Sequence, residues 1–346
     1  MNTEQRQALW QKIQYQLYPA KAHALMPQDK QHTGPWYVRL MLGVSAWIAA
    51  LFLFAFVAAT FAFVLKSGAA SAMLGLLVLA GAWSLFRLTS NDFAVQFGLA
   101  LSMAGQGLLV NSILQIFRGD ALAGQIALCL LELGLLVLPN FISRLVCTCT
   151  ALFALNLALG KMGISFLFPG MAALGLVIWC QLELPNIQRA SLLTPVGFGV
   201  LLTLIFIAGN PLWAQQMPGF DWYLPRIGVL LALAWVIWLQ CEKQGLVFGS
   251  VAGVTVLLAG ILFALLAWWV PGLGVAGLVI TLGFSTGNRI VLALGWCSFA
   301  WYLGHFYYDL HSSLLDKSKL LIASGAALLL ARLALQKLFP LEPNHA

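Results

Sequence analysis

The sequence predicts an all-α fold, a polytopic transmembrane helical bundle of about twelve helices, and three observations predict it. Hydrophobic residues fill 61% of the 346 positions and charged residues only 8%, where a soluble domain carries about 25% charged residues. Mean hydropathy is +0.91. Apolar stretches suited to a bilayer core, which needs about 20 residues per helix, recur from Leu40 almost to the C-terminus. A water-soluble globule could not cover its surface with so few charges. A soluble enzyme, a disordered regulator and a nucleic-acid-binding domain are excluded on that ground.

Residues 1–36 are the one extended polar stretch and read as a cytoplasmic N-terminal tail. Leu9, Trp10, Ile13 and Leu17 fall on one helical arc, with Gln5, Arg6, Gln11, Lys12 and Gln14 on the other faces. That pattern suits an amphipathic helix lying on the membrane; a docking helix for a cytosolic partner is the alternative. Residues 37–346 read as one polytopic transmembrane domain. Its spans are expected at 40–65, 69–86, 93–117, 121–138, 141–159, 162–182, 194–213, 224–241, 246–269, 272–286, 290–308 and 319–338. Pro271, Gly272, Gly274 and Gly277 shorten the tenth, and Pro139-Asn140 leaves a very tight junction between the fourth and fifth. The connections leave no room for a soluble domain after residue 36. The first long apolar run begins near Leu40, too late for the core of a cleavable signal peptide, so the first span is expected to direct insertion.

The net charge of +7 has a topological reading, because Lys and Arg collect in cytoplasmic segments. With the N-terminus inside, twelve Lys and Arg fall on cytoplasmic segments and six outside. Both termini are therefore expected in the cytoplasm, with the tails supplying the margin. No Lys/Arg run has the density of a nucleic-acid footprint. The six cysteines (Cys129, Cys147, Cys149, Cys180, Cys241, Cys297) sit in or beside apolar stretches and read as small buried residues. Cys147 and Cys149 point about 200° apart on a helix, which is wrong for joint chelation. No metal and no cofactor is expected.

The chain carries an internal similarity. Phe168–Ile178 and Val270–Ile280 share six identities in eleven positions, and the same offset of 102 places Asn186 on Asn288. It also superposes span 121–138 on 224–241 and span 141–159 on 246–269. A four-helix unit repeated in parallel, as in the halves of some transporters, would produce this; Gly/Leu/Val-rich composition alone is the alternative.

Ionisable groups inside a bilayer cost about 2.5–3.5 kcal/mol each on insertion scales, so those away from span ends are functional suspects. Glu132 sits inside the fourth span, with Gln125 a little under two turns earlier. It is a candidate proton or cation site; the alternative is a structural carboxyl held by a nearby Asn or Gln, or by Arg144 across the turn. The third span is unusually polar, with Asp92, Gln96 and Gln106 within about 80° of one another and Asn111 and Gln115 rotated away. A continuous stripe would line a pathway, whereas a wandering one fits amides bonding to several neighbouring helices. In the eleventh span, His305 and Asp309 at i, i+4 could pair as an acid–base couple, although no Ser or Cys nucleophile motif accompanies them. The connection 210–225 carries Trp213, Phe220, Trp222 and Tyr223, which would anchor in lipid or form a docking surface. No phosphate-binding loop, zinc-protease motif, nucleophile elbow or dinucleotide fingerprint is present.

The last quarter carries Pro271-Gly-Leu-Gly, Gly287-Asn288-Arg289 entering a helix, Tyr307-Tyr308-Asp309-Leu310, and Leu314-Leu315-Asp316-Lys317-Ser318 ahead of a Ser324-Gly325 helix. Over residues 271–335 this resembles a bacterial family of unknown function whose members are multi-pass inner-membrane proteins. The resemblance implies residence in the bacterial inner (plasma) membrane. It also implies a small membrane-anchored partner in the envelope, of the type named for its GDYXXLXY motif and commonly encoded next to members. It brings no activity. The expectation is a non-enzymatic membrane component that contacts lipids and holds that partner through Tyr307, Tyr308, Asp309, Leu314, Leu315 and Lys317, with Trp213 and Trp222. The alternatives are a secondary transporter or channel using Glu132, Gln125, Asp92, Gln96 and Gln106, and an intramembrane enzyme acting on a lipid-linked substrate.

Overall fold

In a bilayer core there is no water to satisfy backbone N–H and C=O groups, and a helix pairs them all within one segment. The computed structural model follows that rule. It describes residues 36–60, 64–88, 91–183, 190–209, 224–245, 250–270 and 272–309, together with Ser318, Ile322 and Leu329. Among the described residues there are eleven α-helices and no strand. In chain order these are α1 (Trp36–Thr60), α2 (Gly68–Leu88), α3 (Asp92–Ile116), α4 (Ala121–Leu135), α5 (Phe141–Lys161) and α6 (Leu167–Glu183). They continue with α7 (Ala190–Gly209), α8 (Leu224–Lys243), α9 (Val251–Trp269), α10 (Leu273–Thr286) and α11 (Arg289–Asp309). A 3₁₀ turn at Val64–Lys66 leads into α2.

Six of these helices, α2, α3, α5, α7, α8 and α11, are long and apolar enough to cross a membrane. The chain is a multi-pass membrane protein by that measure, and eleven of the twelve expected spans coincide with a helix. Of 319–338 only Ile322 and Leu329 are described, both helical and exposed, and the amphipathic segment of residues 1–35 lies outside the described residues. The sixth helix begins later than its span, because Gly163 takes a positive φ of 76° and turns the chain between α5 and α6.

Polar residues placed by the sequence set the helix starts. The first N–H groups of a helix lack intrahelical acceptors, and side-chain oxygens supply them. Asn91 accepts from Phe93 at the head of α3, and Asp120 accepts from Ala123 at the head of α4. Asn140 accepts from Ile142 and Ser143 at the head of α5, and Ser250 from Gly253 at the head of α9. In the α10–α11 hairpin Gly287 closes α10 at φ 67°, a left-handed conformation that glycine adopts freely. Asn288 then accepts from Ile290 and Val291.

Helix packing runs as a chain of neighbours. α3 packs between α1 and α2, α5 between α4 and α7, and α8 between α6 and α10, with α11 closing on α10. The main apolar core is built from α6, α7, α8 and α10, around Phe168, Leu176, Leu201, Leu204, Val236 and Leu278. At the α10–α11 crossing the backbones meet: a side chain on Gly283 would come within 2.5 Å of the Leu292 nitrogen, and one on Gly295 within 2.9 Å of the Ile280 nitrogen. Elsewhere α9 touches its neighbours lightly and presents Leu258, Ile261, Leu262, Leu265 and Leu266 outward.

The offset of 102 carries α4, α5, α6 and α7 onto α8, α9, α10 and α11 in order. The order of elements repeats, but the packing does not. α5 is wedged between α4 and α7, whereas its counterpart α9 lies at the periphery.

Candidate functional site

The carboxyl of Glu132 is the feature around which a site can be built. It lies one turn before the end of α4 and is fully buried, at 0% exposure. Neither of its oxygens has a hydrogen-bond partner among the described residues. The Arg144 alternative fails for a physical reason. Arg144 donates through Nε to the Leu136 carbonyl at 3.0 Å, at the frayed end of α4, and through Nη1 to the Ser191 carbonyl at 2.7 Å. Ser191 needs an outside donor because the residue four positions on is Pro195, which has no N–H to offer. Two of the five guanidinium N–H donors go to backbone carbonyls, and neither oxygen of the Glu132 carboxyl takes one of the others.

The neighbours of that carboxyl come from α5 and α3. The Cys147 thiol, buried two turns into α5, lies beside the Glu132 side chain and beside Ser143, one turn earlier. Ser143 Oγ lies 2.8 Å from Ser102 Oγ of α3, and Gln106 donates through Nε2 to both hydroxyls, at 3.3 Å and 3.4 Å. Ser102, Gln106 and Ser143 are all buried. A run of exchangeable groups therefore extends from the carboxyl of α4 across α5 to the middle of α3. The i, i+4 spacings of Ser143 with Cys147 and of Ser102 with Gln106 place each pair on one helix face. Gln125 sits two turns before Glu132 with its side-chain oxygen buried and unpartnered among the described residues.

The structure does not bring the other polar residues of α3 to this place. Asp92 and Gln96 lie in its first two turns, where Gln96 faces Gly43 of α1. Asn111 donates to Ser71 Oγ at 2.9 Å and to the Leu65 carbonyl at 3.2 Å, and Gln115 donates to the same carbonyl at 3.3 Å. Arg118 donates to Gln115. The stripe wanders among α1, α2 and α5, so most of it is interhelical bonding.

At the other end of the molecule, Tyr307 and Tyr308 close α11 with their rings edge to face, 5.7 Å between centroids. Tyr307 is half-buried and Tyr308 is 81% exposed. Leu314, Leu315, Lys317, Trp213 and Trp222 lie outside the described residues, as does the Asp309 side chain. His305, one turn earlier, lines the end of a groove between α5, α7 and α11. Among the described residues no cluster of three or more His, Cys, Asp or Glu side chains could hold a metal ion. Cys147 and Cys149 do point apart, Cys147 toward Glu132 and Cys149 toward the Gly199 carbonyl of α7.

Neither a curated protein nor a solved structure matches the chain. One family model does, over residues 35–338, which takes in every helix described above. The chain belongs to the family defined by the domain of unknown function DUF4401.

Proposed function

We propose that the protein is a proton-coupled secondary transporter or channel whose protonation site is Glu132. One observation carries the reading: a fully buried carboxyl without a partner among the described residues, set against the Cys147–Ser143–Ser102–Gln106 run. An isolated ionised carboxylate in an apolar medium is very costly, so this site holds its carboxyl with a proton or a bound cation. The neighbours favour the proton. They add thiol, hydroxyl and amide groups but no second carboxylate, so a divalent cation would keep an uncompensated charge in the bilayer, and the thiol beside the carboxyl is a soft group that a hard monovalent cation does not favour. Hydroxyls and a thiol both donate and accept, as passing a proton requires. A carboxylic group inside a transmembrane bundle is by default a functional site of this kind.

Labelling with a hydrophobic carbodiimide, which reacts with protonated carboxyls, tests the site on the full chain in liposomes. The expected result is modification of the Glu132 peptide that falls from acid to alkaline buffer and is absent in Glu132→Gln. No labelling at any pH would sink the reading, as would full proton-coupled uptake by the Gln variant.

A second reading, a small membrane-anchored envelope partner held at the end of α11, is favoured by the exposed ring of Tyr308 beside Tyr307. Mild-detergent purification with mass spectrometry of co-purifying chains tests it. A stoichiometric small protein lost on changing Tyr308 and Lys317 together supports the reading, and recovery of the folded chain alone overturns it.

A further inference from the structure

We infer that Glu132 is reached through the seam between two bodies, α1–α3 and α4–α11, which part at the Ser102–Gln106–Ser143 contact to admit water and the proton it carries. The inference rests on the reading of Glu132 as the protonation site. A carboxyl that exchanges its proton must meet water, and at 0% exposure Glu132 meets none in the packed state. Some contact around it has to open.

Three sides can be compared. α4 and α5 pack closely along their lengths, and Arg144 ties the end of α4 to α7. α5 and α7 meet closely as well: a side chain on Gly199 would come within 2.6 Å of Thr148 Cβ. The side toward α3 is different. α3 packs closely on α1 and α2 but only lightly on α4 and α5, and neither α1 nor α2 packs extensively on any other helix among the described residues. α1–α3 therefore form one body, joined to the rest through 117–120, where Gly119 has open space around it. Across the seam run the Ser102–Ser143 pair at 2.8 Å and the long bond from Gln106 to Ser143 at 3.4 Å. Single side-chain bonds of this kind are weak in a bilayer, and water can take the place of either partner.

Depth and cover point the same way. Ser102 lies about 15 Å along α3 from Asp92, and Gln106 about 15 Å from Ile116, so the polar contact sits midway along the helix. It has an apolar cover on each side. Leu109 lies one turn beyond Gln106, and Leu138 lies ahead of α5; both are buried in one cluster with Leu79 of α2, against which Leu131 and Leu135 of α4 also pack. A polar centre between two apolar covers lets one side open while the other stays shut. One helical body rocking against another around a midplane site works in this way.

The test uses the full chain in liposomes with Ser102→Cys and Ser143→Cys together, whose side-chain atoms stand close enough for a disulfide. Glu132 is then labelled with a water-soluble carbodiimide, and the labelled peptide is measured. Locking the bodies together removes the open state, so the oxidised pair should label at least about tenfold more slowly than the same protein reduced. Equal rates in the two forms would overturn the seam. So would labelling of the unaltered chain by a hydrophobic carbodiimide but not by the water-soluble one. Labelling of the unaltered chain by neither reagent would sink the assignment of Glu132 itself, and the inference with it. Should the pair fail to fold or to oxidise, spin labels decide, on a chain whose exposed Cys297 is replaced by serine. Labels at Leu88, at the end of α2, and at Val137, in the turn after α4, report across the seam, whereas labels at Val137 and Lys243 report within one body. The first pair should give two distances and the second pair one. A single narrow distance from both pairs would overturn the inference.

Discussion

The helices α2–α5 and the helices α6–α11 solve the same problem differently. Apolar helices gain little by leaving lipid for one another, so their association rests on close packing and interhelical hydrogen bonds. In α2–α5 buried polar side chains are frequent: Ser71, Ser102, Gln106, Ser112, Glu132, Ser143, Thr148 and Asn156. Several reach across, as Ser102 does to Ser143 and Asn111 to Ser71. In α6–α11 the buried polar side chains among the described residues are Thr203 and Ser298, and each bonds its own helix. There the side-chain bonds between helices run to backbone carbonyls, from Tyr302 to Ile205 and from Arg226 to Trp268, and close fit does most of the holding. Gly283 meets the Leu292 backbone, and a side chain on Gly228 would come within 2.8 Å of Gly170 Cα. One group of helices is joined largely by side-chain bonds that can be rearranged, and the other largely by surfaces that cannot. The site proposed for proton exchange lies in the first half.

That contrast can be broken by substitution, and the largest effect belongs to the dry half. Gly283→Val drives a branched side chain into the Leu292 backbone and should cost about 3 kcal/mol or more, read as loss of monodisperse protein on size exclusion. Next, Leu204→Ala at a fully buried core position should cost about 2 kcal/mol, read as a lower unfolding midpoint in detergent. The wet half should answer with the opposite sign at one residue. An unpartnered buried polar group costs about 1–3 kcal/mol, so Glu132→Leu should raise stability by roughly 1 kcal/mol while removing the carbodiimide-reactive site. The smallest effect is Ser102→Ala, about 0.6 kcal/mol, the typical worth of one interhelical hydrogen bond in a bilayer. If Ser102→Ala proved as damaging as Gly283→Val, the two halves would not differ in kind.

The fold was legible because lipid imposes one secondary structure and a length on it. Spans expected at 69–86, 141–159 and 272–286 became Gly68–Leu88, Phe141–Lys161 and Leu273–Thr286. The boundary of α6 was less so, since Gly163 acts through its backbone angle and a hydropathy window passes over it. Glu132 stood out as a charge in an apolar run. Its surroundings did not, because Cys147 and Ser143 look like ordinary small residues until α5 is laid beside α4. The fate of Arg144 was hidden for another reason. Its partner is a carbonyl freed by a proline 51 positions along the chain, and no pattern local to either residue reveals the pair.

That pair carries a consequence for biosynthesis. The chain is made from its N-terminus, so α4 and α5 leave the ribosome before α7 exists. Until then Arg144 has the Leu136 carbonyl but lacks the Ser191 carbonyl, 47 residues downstream. The two carbonyls lie at the ends of different helices, so the tie that runs from α4 through Arg144 to α7 is complete only once α7 has been made. Pro195, by withholding one amide hydrogen, makes α7 the piece that locks its predecessors in place.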